Sequence, residues 1–150
     1  MDNKLFKNDK LVIYTDGGAR GNPGPAAIGV IIGGKSYGEK IGETTNNVAE
    51  YKALVFALKK AKHLLGKKVA KTTELEINTD SELMCNQLRG TYKILEPDLQ
   101  TLFIEIWNLK QDFKKVEFIK IPRERNKAAD KVVNQALDGK QEGAGDQKLL

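Results

Sequence analysis

Cysteine is almost missing from this sequence: Cys85 stands alone, so no disulfide can close within the chain. Such a chain suits a reducing compartment, and the cytoplasm is the expected location. Histidine is equally scarce, with His63 the single copy. No stretch approaches the ~18 consecutive apolar residues of a membrane-spanning helix, so no membrane association is expected. The opening Met1-Asp2-Asn3-Lys4-Leu5-Phe6-Lys7 lacks the apolar centre of a signal peptide. Internal repeats and linker-like breaks in composition are also missing. With those classes set aside, 150 residues at 40% hydrophobic and 30% charged read as one soluble domain with a true core. The net charge of +5 permits a polyanionic partner without requiring one.

What is present begins with one stretch. Leu11-Val12-Ile13-Tyr14-Thr15-Asp16 is a short apolar, β-branched and aromatic run that ends in an acid, the pattern of a buried strand. Four glycines, two prolines and Asn22 follow between positions 17 and 25, so a sharp turn is expected directly after Asp16. Gly17 and Gly18 would leave bare backbone beside the carboxylate, with room for a bulky ligand. An ordinary hairpin carrying a solvated aspartate is the alternative, and three acids further along weigh against it.

Residues 1–10 are polar and expected to fray, with Lys4, Lys7 and Lys10 facing water. Residues 26–32 read as a second buried strand, Gly33-Gly34 as a tight hairpin, and 35–42 as an edge strand, together an antiparallel meander. The period then changes. Ala53, Leu54, Ala57, Leu58, Ala61, Leu64 and Leu65 form the apolar face of a helix over 46–65, which Thr44 or Thr45 can cap. A fourth strand over 75–80 again ends in an acid, Asp80. A short helix over 81–88 closes at Gly90, and another opens on Pro97 with a stripe of Leu99, Leu102, Phe103, Ile106 and Phe113. Residues 116–121 make a fifth strand stopped by Pro122. Asn126 stands where it can cap a last helix whose face carries Ala129, Val132, Val133, Ala136 and Leu137. Helices between strands four and five require parallel, right-handed crossovers, giving an α/β layer on a mixed five-stranded sheet. Residues 1–138 form the domain, and 139–150 read as a flexible tail.

Asp16 and Asp80 both end strands, so adjacent parallel strands would bring them together at the carboxyl edge, where such sheets hold ligands. Glu50 is expected in the first turn of the long helix and Asp130 in the first turn of the last. Singly, either could be a partner of its helix dipole. Converging without a cation, the four would repel one another, and ligation of hard divalent cations explains them better. Two such ions can clamp the attacking and leaving oxygens of a phosphodiester.

These residues resemble the type 1 ribonuclease H family over about residues 10–138. Asp16-Gly17-Gly18-x-x-Gly21-Asn22-Pro23-Gly24-Pro25 is similar to the family's opening motif, and Thr45-Asn46-Asn47-x-x-Glu50 to its second. Thr79-Asp80-Ser81 and Ile121-Pro122-Arg123-Glu124-x-Asn126-x-x-Ala129-Asp130 resemble the third and fourth. The resemblance implies a sheet order of 3-2-1-4-5 with the first three strands antiparallel. It also implies endonucleolytic cleavage of RNA paired with DNA, leaving 5′-phosphate and 3′-hydroxyl ends. Two Mg²⁺ ions, or Mn²⁺ in their place, would be held by Asp16, Glu50, Asp80 and Asp130. Asn22 and Thr45 would lie near a DNA-strand phosphate, and Asn46 with the Gly17–Gly18 backbone near RNA 2′-hydroxyls. The expected partner is an RNA–DNA hybrid bound by a monomer.

Two departures from the family pattern stand out. No histidine precedes the last acid, where many members carry one; Arg123 or Glu124 occupies the neighbourhood, and Arg123 suits a phosphate-rich site better. His63, late in the long helix, is expected at the surface. The basic protrusion of several members is missing too, since 89–96 is too short for it. The densest basic run is instead Lys59, Lys60, Lys62, Lys67, Lys68 and Lys71, which reads more simply as a solvated helix end than as a substrate site. A module of the same fold that binds hybrids without turnover, or a nuclease acting on DNA, are the competing expectations.

Overall fold

The computed structural model of the chain describes residues 6–7 and 10–139, so the expected tail from position 140 onward lies outside it. The strands are β1 (Phe6–Lys7), β2 (Lys10–Ala19), β3 (Gly24–Ile32), β4 (Lys35–Thr44), β5 (Glu74–Thr79) and β6 (Lys115–Lys120). The helices are α1 (Asn46–Leu65), α2 (Lys67–Ala70), α3 (Glu82–Leu88), α4 (Pro97–Lys110) and α5 (Lys127–Leu137). A 3₁₀ turn, Arg123–Arg125, precedes α5. No described helix is long and apolar enough to cross a membrane.

The sheet runs β4-β3-β2-β5-β6. β2, β3 and β4 are antiparallel, and β5 and β6 continue parallel to β2. The five expected strands are therefore β2 to β6 in the order 3-2-1-4-5. β1 adds a two-residue hairpin, Phe6 opposite Leu11 and Lys7 opposite Lys10. Lys10 does not simply face water; its Nζ lies 2.8 Å from Glu117 Oε1 across the sheet.

Leu11, Ile13, Leu75, Ile77 and Phe118 pack into one core with α1. α1 lies against the sheet on one side and α4 on the other. It therefore buries Val48, Tyr51, Val55 and Phe56 as well as the expected Ala53, Leu54, Ala57, Leu58 and Ala61. A single apolar face was too narrow an expectation, and Leu64, which completed it, is exposed. Thr45 is the cap: its Oγ1 accepts the Val48 N–H at 3.2 Å. α5 covers the opposite face of β3 and β4, where Gly29 and Gly38 make way for it. A Cβ on Gly38 would stand 2.7 Å from Val132 Cγ1, and one on Gly29 would overlap the Ala129 carbonyl.

The strand carrying Asp16 does not stop there. β2 pairs with β3 through Asp16–Gly29, Gly17–Ile28, Gly18–Ala27 and Ala19–Ala26, and the turn comes only afterwards, closed by Arg20 N–H on Pro25 O at 2.8 Å. The glycines are strand residues because helices press on both faces of this hairpin.

Candidate active site

Four separate elements bring the acids together. β2 and β5 are in parallel register from Lys10 opposite Glu74 to Tyr14 opposite Asn78. Two residues further along each strand come Asp16 and Asp80, level with each other beyond the last pair. Glu50 enters from α1. It is the fifth residue of that helix rather than a first-turn residue, so it is no dipole partner. Asp130 does lie in the first turn of α5. Asp16, Glu50 and Asp80 each offer a carboxylate oxygen within 4.8 Å of the others. Asp130 joins them on the wall of one cleft of about 300 Å³.

The bond pattern shows how the acids are held. The Gly17 N–H lies 3.0 Å from Asp16 Oδ1 and 3.0 Å from Glu50 Oε1, so one backbone donor serves two carboxylates. It can do so because a Cβ on Gly17 would overlap the Ala49 carbonyl and stand 2.6 Å from Glu50 N. On the Cβ side of Gly17 the space is filled by α1, while its backbone lines the cleft. Gly18 is roomier, with Val133 Cγ1 at 3.6 Å from an added Cβ.

Electrostatics in the cleft are unbalanced. Burial, then the negative charges of Asp80 and Asp130, push the Asp16 carboxyl up to about 8, against the pull of the Gly17 N–H. Burial, then Asp16 and Asp80, also push Glu50 well above the usual carboxylate range, with Gly17 N–H and Arg123 opposing. An all-oxygen donor set that raises its own proton affinity by mutual repulsion fits a hard divalent cation.

Of the expected substrate residues, Gly17, Gly18 and Asn46 line the cleft, while Asn22 and Thr45 are not among its walls. Asn22 Oδ1 accepts the Asn46 N–H at 3.0 Å, and Asn46 Oδ1 accepts the Ala19 N–H at 2.7 Å. These side chains tie the turn after β2 to the start of α1. Arg123 lines the cleft and Glu124 does not. His63 is exposed, as expected.

Sequence reasoning missed three things. Arg20 borders the cleft and bonds Asp138 Oδ1 at 2.8 Å and Asn134 Oδ1 at 3.3 Å, which staples α5 to the turn. Val133, Asn134 and Leu137 form the rest of that wall; their spacing of three, four and seven from Asp130 was the available signal. Asn126 does not cap α5 with its side chain. Instead its Nδ2 donates to Thr15 O at 2.9 Å and to Asp80 Oδ2 at 3.1 Å.

Residues 14–136 match the family model described as reverse transcriptase-like. LC11-RNase H1, whose crystal structure is a complex with an RNA/DNA hybrid, is 47% identical with a TM-score of 0.80, covering 85% of this chain and 96% of that one. RNase H1 of the halophilic archaeon Halobacterium salinarum NRC-1 is 37% identical with a TM-score of 0.77, covering 85% and 97%. The bifunctional protein Rv2228c of Mycobacterium tuberculosis is 36% identical over 142 residues, which are 90% of this chain but only 37% of that protein. The chain thus spans little more than a third of that relative. A family match over most of the sequence and solved relatives at this level of identity leave one placement: the chain belongs to the ribonuclease H-like family and is related to ribonuclease HI.

Proposed function

We propose that the chain is a metal-dependent endoribonuclease that hydrolyses the RNA strand of RNA–DNA hybrids, leaving 5′-phosphate and 3′-hydroxyl ends. The observation that carries this reading is the meeting of Asp16, Glu50 and Asp80, with ligand oxygens within 4.8 Å, on the wall of an open cleft. The similarity to LC11-RNase H1, solved with an RNA/DNA hybrid, supports the choice of substrate.

In this reading Asp16, Glu50 and Asp80 would hold one divalent ion, and Asp130 would help hold a second, Mg²⁺ or Mn²⁺. When bound, such ions supply Lewis-acid chemistry, favouring ionisation of the attacking water and offsetting charge on the attacking and leaving oxygens. The water oxygen bonds to phosphorus as the bond to the 3′ oxygen breaks; the proton the water sheds passes to solvent, and the 3′ oxygen takes one up from solvent to leave as the 3′-hydroxyl. Arg123, exposed at the cleft wall, steadies the scissile phosphate by charge and by its planar fork of donors. With their side-chain oxygens engaged in the scaffold, Asn22 and Asn46 offer substrate their amide N–H groups, which suit a DNA phosphate and an RNA 2′-hydroxyl respectively. The Thr45 hydroxyl and the Gly17–Gly18 backbone flank these contacts.

The test is incubation of the protein with labelled hybrid, single-stranded RNA, duplex RNA and duplex DNA, with and without Mg²⁺ or Mn²⁺. Cleavage of the hybrid's RNA strand only when metal is present is the expected result. Binding of hybrid without cleavage at any metal concentration, or cutting of duplex DNA, would overturn it.

A further inference from the structure

Asn126 sits where β2 and β5 part company. Their pairing ends at Tyr14 opposite Asn78, so although β3 still holds Asp16, no ladder bond joins β2 to β5 at the level of the two carboxylates. The Asn126 side chain, only 1% exposed, fills this gap. Its Nδ2 reaches the carbonyl of Thr15, the residue before Asp16, at 2.9 Å, and Asp80 Oδ2 at 3.1 Å. A backbone carbonyl can only accept, so the NH₂ end of the carboxamide faces Thr15 O, and that same end reaches Asp80 Oδ2. One short, stiff group thereby joins the backbone beside one acid to the side chain of the next.

Helix capping does not explain this residue. It occupies the N-cap position of α5 but makes no side-chain cap bond. Its Oδ1 is buried with no hydrogen-bond partner among the described residues, a cost to the fold that the two donor bonds must outweigh. The side chain is committed to β2 and Asp80 rather than to its own helix.

We propose that Asn126 is a positioning residue for the cation site: it tethers one oxygen of Asp80 to the end of β2, so that the carboxylate cannot swing and meets the ion already oriented. This rests on the reading of Asp16, Glu50 and Asp80 as a divalent-cation site. Partners that orient a ligating carboxylate govern metal affinity although they never touch the ion.

The experiment is calorimetric titration of Mg²⁺ into the metal-free full chain, comparing wild type with Asn126→Ala and Asn126→Ser, folding being checked by circular dichroism and thermal melting. Serine is as good an N-cap as asparagine but cannot span both acceptors, so it separates capping from tethering. Both variants should bind Mg²⁺ about ten- to a hundredfold more weakly than wild type. Turnover should fall with KM for hybrid unchanged, and excess Mg²⁺ should restore part of it. Wild-type Mg²⁺ affinity in either folded variant overturns the inference and leaves the cation site standing. Failure of the wild-type chain to bind Mg²⁺ overturns the site and the inference together. Should neither variant fold, nuclear magnetic resonance of the wild type decides: the Asn126 side-chain amide signals must move when Mg²⁺ is added, and stationary signals overturn the tether.

Discussion

Gly17 and Ala49 meet backbone to backbone: a Cβ on the glycine would overlap the alanine's carbonyl carbon and oxygen. This contact sets how far α1 stands from β2, and with it the reach of Glu50. Gly17→Ala should therefore destabilise the protein by about 1–3 kcal/mol, the usual range for forcing volume into a packed site. It should also depress turnover. Gly18→Ala, where the new Cβ would sit 3.6 Å from Val133 Cγ1, should cost much less. Equal urea midpoints for the two variants would show that α1 can withdraw freely.

Asp16→Asn, Glu50→Gln and Asp80→Asn each keep side-chain size while removing a negative charge from the cluster. Each should nearly abolish metal-dependent cleavage of the hybrid and leave the circular dichroism spectrum unchanged. In EDTA these variants should melt no lower than wild type, because carboxylate repulsion is relieved. An isosteric variant that cuts at the wild-type rate would remove that acid from the site.

The pH dependence of metal-free stability follows from Asp16. Its carboxyl lies near 8 in the folded protein against an ordinary 3.8, so the folded state holds its proton more tightly. The associated stabilisation is complete below about pH 4 and disappears as pH rises through about 8. Glu50, also raised, acts in the same direction. Melting temperature in EDTA should fall across that window in wild type and fall less in Asp16→Asn. Parallel curves for the two proteins would contradict the assignment.

Arg123→Ala should lower turnover about ten- to a thousandfold, the low to middle range for losing one electrostatic donor at a phosphate. Arg123→Lys should recover only part of the rate, because a point charge cannot copy the planar fork. The side chain is exposed, so the melting temperature should barely change. Full activity in the alanine variant would leave the cleft's phosphate without this partner.

The basic run at the end of α1 is expected to stay out of substrate binding. Lys59 and Lys62 pair with Glu105 at 3.2 Å and Asp112 at 3.1 Å, joining α1 to α4 and the turn after it. Lys67 and Lys68 are exposed in α2, past the end of α1, whose last residue lies about 22 Å along the axis from Glu50 at about 1.5 Å per residue. Replacing both with glutamine should leave the slope of log hybrid affinity against log salt almost unchanged. A slope smaller by about one to two units would place them on the nucleic acid.

The sheet and the four acids were legible because the hydrophobic period changes close to each acid: the apolar strand runs stop at Asp16 and Asp80, and helical spacing starts around Glu50 and Asp130. What escaped was set by distant contacts. The close packing of Gly17 on Ala49 escaped because the two lie 32 residues apart in the chain. Asn126 resembled a cap because nothing local reveals acceptors 111 and 46 residues back in the chain. β2 seemed to end at Asp16 because glycines are turn-formers in isolation; pairing with β3 and pressure from two helices made them strand residues.

The cleft draws Asp16 from β2 and Asp130, with the Asn126 tether, from a segment more than a hundred residues later. A protein made from its N-terminus onward therefore carries Asp16 through 114 further residues, the last of them Asp130. A chain cut before Asn126 carries three of the four acids and lacks both Asp130 and the tether. The proposed cation site thus closes only when segments 114 residues apart have both been made.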